Sequence, residues 1–205
     1  MWCLPFCLIC IALGVFGSEN QVDKAMENAK IVPDVIVVGP KKLLQVNYLS
    51  GVKAELGNEL TPTQVKDQPS VVWDAKPNSF YTLYLADIDI TTGGAQPKEN
   101  EWHQWLVGNI LGGDVNSGET LTAFVGSGPP SKTGLHRYVI FVFEQPSKLN
   151  FDEPRISNRS IENRDKLSIK KFASKYNLGA PVAGNFYQAQ YDDYVSVLYQ
   201  QFGVN

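Results

Sequence analysis

The side chains that offer chemistry in this chain are few: two histidines, three cysteines, and carboxylates placed at the ends of apolar runs. His103 and His136 stand in no His-Glu-x-x-His or comparable ligand spacing, so a metal site is not expected. There is no phosphate-cradling glycine loop of the nucleotide-binding types, and Gly126-Ser127-Gly128 lacks the outer glycines of a nucleophile elbow, because Val125 and Pro129 hold those places. What remains is polar groups at run ends. Asp87 and Asp89 follow the apolar run 80–86, Trp102, His103 and Gln104 open another, and His136, Arg137 and Tyr138 open a third. Gly126-Ser127-Gly128-Pro129-Pro130 is a stiff loop of small residues, whose glycines leave backbone N–H groups approachable while the prolines hold its shape. This is the chemistry of a small-anion site. An enzymatic triad of Ser127, His136 and Asp87 is the last of the rival readings, and no cofactor is expected.

The elements that must position these groups follow from periodicity. Val22, Met26 and Ala29 recur at helical spacing and Pro33 ends that segment, which predicts a short surface helix. From residue 34 the pattern changes to runs rich in Val, Ile, Leu, Tyr and Phe at 35–38, 43–49, 71–73, 80–86, 105–110 and 136–144, separated by turn residues. Such spacing predicts a mainly β protein built as an antiparallel sandwich. The run 136–144 is apolar on both faces and reads as a central strand covered on both sides. Ile169, Phe172, Ala173 and Tyr176, then Tyr191, Tyr194, Val195, Leu198 and Tyr199, predict two peripheral helices near the C-terminus, with Asp192 and Asp193 in the first turn of the last.

Composition sets the outer limits. The 205 residues carry 18 basic and 21 acidic side chains, a net charge of -3 that gives no general pull toward nucleic acid. Residues 1–17 are uncharged and end in small residues, with Val15 and Gly17 at the cleavage positions, so they read as a secretory signal peptide. Their apolar run falls short of the ~20 residues of a spanning helix. Residues 18–205 then form a single secreted domain. Cys3, Cys7 and Cys10 leave with the signal, which excludes a thiol nucleophile and a disulfide frame from the mature chain. Asn158-Arg159-Ser160 is an N-glycosylation sequon.

Gly126-Ser127-Gly128-Pro129-Pro130, followed by Thr133-Gly134-Leu135-His136-Arg137-Tyr138, resembles the phosphatidylethanolamine-binding protein family. Supporting matches are Leu60-Thr61-Pro62-Thr63-Gln64-Val65-Lys66, Tyr81-Thr82-Leu83, Glu101-Trp102-His103, Asp152-Glu153-Pro154, Ser157-Asn158-Arg159-Ser160, Ala180-Pro181-Val182-Ala183-Gly184 and Asp192-Asp193-Tyr194-Val195. The resemblance implies a large antiparallel β-sandwich with peripheral helices and a small pocket for phosphate-like head groups. Asp87, Trp102, Gly128, Pro129, His136, Tyr138 and Tyr199 occupy the matching pocket positions, and Gln104 stands where the family has a second histidine. The family's Asp-Pro-Asp-x-Pro is Asp87-Ile88-Asp89-Ile90-Thr91 here, which predicts a loop with freer torsions, loosened further by Gly93 and Gly94. Gln104 donates through its amide but cannot become cationic, so anion binding is expected to be weaker and less pH-dependent than in typical relatives. The expected function is a secreted, non-enzymatic, monomeric protein that binds a small anion or phospholipid head group. The rival is an extracellular protease inhibitor or signalling modulator that docks on a protein partner.

Overall fold

The computed structural model describes residues 19–90 and 101–204. The expected signal segment, and Thr91, Gly93 and Gly94, lie outside the described residues. In chain order the elements are α1 (Glu19–Asn28), β1 (Lys42–Leu43), β2 (Gln45–Asn47), β3 (Ser70–Val72), β4 (Phe80–Asp87), β5 (Trp102–Leu111), a 3-10 turn (Val115–Ser117), β6 (Glu119–Thr122), β7 (His136–Glu144), α2 (Ile169–Lys175), β8 (Ala183–Ala189) and α3 (Tyr194–Gln201). Six strands form one open sheet in the order β1-β8-β7-β4-β5-β6, and β2 pairs with β3 in a small second sheet. Every pairing is antiparallel except that of β1 with β8.

Strand alternation divides the large sheet between two cores. Leu83 and Leu85 of β4, with Tyr138, Ile140 and Val142 of β7, pack against Val46 and Val71 of the small sheet. Tyr84 and Ala86, with Val139, Phe141 and Phe143, pack instead against Val22 and Met26 of α1 and Ile169 and Phe172 of α2. The central strand is therefore covered on both faces, as its unbroken apolar run predicts. Each such side chain, fully buried, contributes roughly 1.5–3 kcal/mol.

Four expectations need correction. Residues 35–38 form turns rather than a strand, and Val37 and Val38 are exposed. The run 43–49 is split between two sheets, because Leu43 ends β1 and Gln45 begins β2. Strand β5 runs from Trp102 to Leu111, longer at both ends than the expected run 105–110, and Trp102, His103 and Gln104 open it. Helix α3 starts at Tyr194, and Asp192 braces its entry: one carboxylate oxygen accepts from Tyr194 N–H at 3.0 Å and the other from Thr63 N–H at 2.9 Å.

Candidate functional site

The C-terminal end of β4, the start of β5, the start of β7, the 126–130 loop and α3 converge on one cavity of about 250 Å³. Register does the gathering: Asp87 lies opposite Trp102 on one side and opposite Tyr138 on the other. The loop is pressed into place from two directions. A Cβ on Gly126 would stand 2.9 Å from Lys66 Cα, and one on Gly128 would stand 2.8 Å from Leu198 Cδ2, so neither position admits a side chain without displacement. Tyr199 donates its hydroxyl to the Gly128 carbonyl at 3.1 Å and ties α3 to the same loop.

At the floor, His136 meets a partner at each ring nitrogen. Nδ1 is 2.8 Å from Asp87 Oδ2, and Nε2 is 2.7 Å from Thr133 Oγ1. The Thr133 hydroxyl donates to the Pro130 carbonyl at 2.7 Å, so its one proton is spent and its oxygen must accept from the imidazole. With the carboxylate accepting at Nδ1, the network assigns both nitrogens as donors, which is the imidazolium form. Burial works against that charge, but the Asp87 hydrogen bond and the Asp87 and Asp89 charges outweigh it and raise the His136 pKa.

Asp87 Oδ1 accepts from Asp89 N–H at 2.8 Å, and Asp87 N–H donates to Gln104 Oε1 at 2.8 Å. Gln104 thus presents its amide nitrogen, which has no acceptor among the described residues, in the cavity wall. Four further donors at or behind the wall are unpaired. The Tyr138 hydroxyl is buried without a partner, and its pKa is raised well above the usual value by burial and then by the Asp87 charge. The N–H groups of Gly126, Ser127 and Gly128 also find no acceptor among the described residues, although Ser127 is fully buried. Buried donors are nearly always satisfied, so this cluster calls for an acceptor from outside the chain. Above it the walls are mostly apolar, formed by Ile90, Trp102, Ile161, Leu198, Phe202 and Val204, with Asp165 as a second carboxylate on the lining besides Asp87.

Asp87, Trp102, Gln104, Gly128 and Tyr199 all line the cavity. His136 and Tyr138 stand behind Asp87, while Pro129 is in the interior and Pro130 takes its place on the wall. Asn158 is exposed in a turn, and its carbonyl accepts from Gln201 Nε2 at 2.6 Å. His103 is a core residue, edge-on to Tyr84 at 5.1 Å, and burial pushes its pKa down to about 3. At Ile88, the first of the two lost prolines, the chain has a replacement. Ile88 N–H donates to the Arg137 carbonyl at 3.1 Å, a bond proline cannot make, and Asp89 grips the Arg137 guanidinium at 2.5 and 2.8 Å. The loop entry is therefore held as far as Asp89, while Thr91, Gly93 and Gly94, where the sequence also predicts freer torsions, lie outside the described residues.

Sequence reasoning missed Thr133, which was in a quoted motif without a role, and Arg164. That guanidinium is fully buried and donates to the carbonyls of Ser160, His103, Ala123 and Ser157 at 2.7 to 3.0 Å, with its carbon 5.9 Å from the centroid of the Phe202 ring. Burial lowers its pKa to about 10, which leaves it cationic behind the cavity wall at neutral pH. The signal was the Ser157–Ser160 motif, two of whose carbonyls it clamps.

Known proteins bear on this arrangement. A relative named "Putative odorant-binding protein A5" from Drosophila melanogaster is 35% identical over 190 residues, covering 93% of this chain and 90% of its own. The "26 kDa secreted antigen" of Toxocara canis is 38% identical over 162 residues, which is 78% of this chain and 61% of the antigen. The solution structure of CG7054 superposes with a TM-score of 0.67 at 40% identity, covering 84% of this chain and 97% of that one. A carboxypeptidase Y inhibitor, solved in complex with its cognate proteinase, shares the fold with a TM-score of 0.72 at 21% identity over 87% of this chain and 98% of the inhibitor. No helix among the described residues is long and apolar enough to cross a membrane. The family model for phosphatidylethanolamine-binding protein matches residues 50–188, which include every strand from β3 to β7, the 126–130 loop and most of β8, and the chain belongs to that family.

Proposed function

We propose that this chain is a secreted, non-enzymatic protein that binds the phosphate-containing or otherwise anionic head group of a small ligand at the β4–β7 strand ends. The observation that carries this reading is the run of unpaired Gly126, Ser127 and Gly128 N–H groups at the cavity, backed by the buried Tyr138 hydroxyl next to Asp87 and Ser127. A phosphate offers several acceptor oxygens to such a cluster, and the His136 imidazolium and Arg164 supply positive charge close by. Thr133 is exposed, so a ligand oxygen can take the place its hydroxyl holds at His136 Nε2. The apolar walls then receive the body that carries the head group, and the odorant-binding name of the Drosophila relative supports a small-molecule ligand. Secretion is supported by the name of the Toxocara relative and by the leader-like first 17 residues.

The test is an NMR titration of the secreted protein with inorganic phosphate, O-phosphorylethanolamine and acetate. Saturable shifts at Gly126, Ser127, Gly128 and His136 are expected. Tyr138→Phe should weaken phosphate binding about fivefold, the loss of one hydrogen bond to a charged acceptor in a partly open site. No shift at millimolar phosphate would overturn the reading and leave docking on a protein partner, the activity named for the carboxypeptidase Y inhibitor, as the function to pursue.

A further inference from the structure

Arg164 is a buried cation that pairs with no carboxylate among the described residues. Each side-chain hydrogen bond it makes is to a backbone carbonyl. Buried charges are as a rule paired, and an unpaired one costs stability, so an arginine at this position asks for a reason. Lysine could not replace it, because one ammonium on a flexible stem does not reach the carbonyls that a planar fork of five donors reaches together.

The reason lies in which carbonyls these are. Ser157 and Ser160 belong to the turn that leads into Ile161, His103 stands between Trp102 and Gln104 of β5, and Ala123 leads toward Gly126. Ile161, Trp102, Gln104 and Gly126 all line the anion cavity. The end of α3 joins the same cluster. The Phe202 ring lies 5.9 Å from the guanidinium carbon, and Gln201 Nε2 donates to the Asn158 carbonyl of the 157–160 turn at 2.6 Å. The backbone closes the set, since His103 N–H donates to the Arg164 carbonyl at 2.9 Å, and Asp165, the next residue, reaches the lining. One side chain therefore spaces the segments that make the upper wall. The floor has separate supports: Ser127 Oγ is 2.7 Å from the Tyr187 hydroxyl, Tyr199 is tied to the Gly128 carbonyl, and Asp87 holds His136.

We propose that Arg164 is a positioning residue for ligand specificity: by fixing the 157–161 turn, β5 and the end of α3 against one another, it shapes the compartment for the ligand's apolar body. The cavity thereby prefers an alkyl phosphate to inorganic phosphate. This inference rests on the anion-binding reading above and adds which part of the ligand the guanidinium governs, the body rather than the head.

The probes are inorganic phosphate and n-butyl phosphate, titrated separately into the full secreted protein while the Gly126 and Gly128 amides are followed by NMR. A fully buried methylene is worth about fourfold in affinity, so the wild-type chain is expected to prefer butyl phosphate by about tenfold or more. Arg164→Lys keeps the charge and loses the fork, and the ratio of the two affinities is expected to fall about fivefold, the larger loss being on the butyl ester. Phe202→Leu is the second variant: it keeps an apolar side chain at the end of α3, leaves the carbonyls clamped and removes only the aromatic face. There the ratio is expected to fall about threefold. A role in folding alone would leave the ratio unmoved. An unmoved ratio in Phe202→Leu overturns the proposal even if Arg164→Lys does not fold, and an equal loss on both probes in Arg164→Lys overturns it too. A wild-type chain that binds inorganic phosphate and gains nothing from the butyl group overturns the proposal while the anion-binding reading stands. One in which neither probe moves the two amides overturns both.

Discussion

Asp87 and His136 stand 49 residues apart in the chain and 2.8 Å apart in the fold, and the charge on the imidazole depends on that contact. An unfolded histidine titrates near pH 6.5. Burial alone would lower that value, whereas Asp87, and Asp89 less directly, raise it. Because the folded value is the higher one, the stability this proton contributes is fully present below pH 6.5 and is lost as pH rises through the raised value. His103 has the opposite sign. Its folded pKa of about 3 means that the unfolded chain takes up the proton first, so its contribution is lost as pH falls below 6.5. We expect the His136 ring, followed by NMR, to titrate above 6.5 in the native chain and at or below 6.5 in Asp87→Asn. A midpoint that did not respond to that substitution would refute the pairing as the cause.

The elements show what a single sequence can and cannot display. Strands β4 and β7 were legible because their apolar runs are long and bounded by turn residues, and α1 and α2 because their buried residues recur at helical spacing. Strand β8 was not. Its sequence, AGNFYQA, has few residues with strong strand preference, and it is held by what other segments do to it. Asn185 is the device: its amide donates to the carbonyls of Leu44 and Ala54 at 2.8 Å, and its carbonyl accepts from Leu56 N–H at 2.9 Å and Phe186 N–H at 2.8 Å. One buried side chain thus satisfies four backbone groups from three segments, a long-range role that local propensity cannot reveal. The site was legible by the same divide. The motif residues that line it were found, but the walls from Ile161, Leu198, Phe202 and Val204 come from segments whose packing only the fold sets. Asn185→Ala should destabilise the domain by about 3 kcal/mol or more, since it leaves several buried backbone groups unpaired. Urea unfolding would measure it, and a loss under about 1 kcal/mol would mean that water replaces the amide.

At the scale of the whole molecule, the question is what holds the domain together with no cysteine among the described residues. A chain of 205 residues is long enough to bury on the order of 70% of its unfolded surface, and here one sheet carries an apolar core on each face. Small exported domains that lack such cores depend on disulfides, and this one has no such need. The three cysteines, Cys3, Cys7 and Cys10, all fall in the leader-like stretch, so the two readings stand or fall together. If residues 1–17 are removed on export, the secreted protein begins near Ser18, carries no thiol, and has a thermal midpoint that excess reductant leaves within about 1 °C. Exposure of the Asn158 turn adds a second mark of the same route: a glycosidase-sensitive mass increment on the secreted protein that Asn158→Gln abolishes. Intact mass and thiol titration of material from a secreting eukaryotic cell measure all of this. Three titratable thiols on an uncleaved N-terminus would overturn the export reading, and a midpoint lowered by reductant would show that the two cores do not suffice.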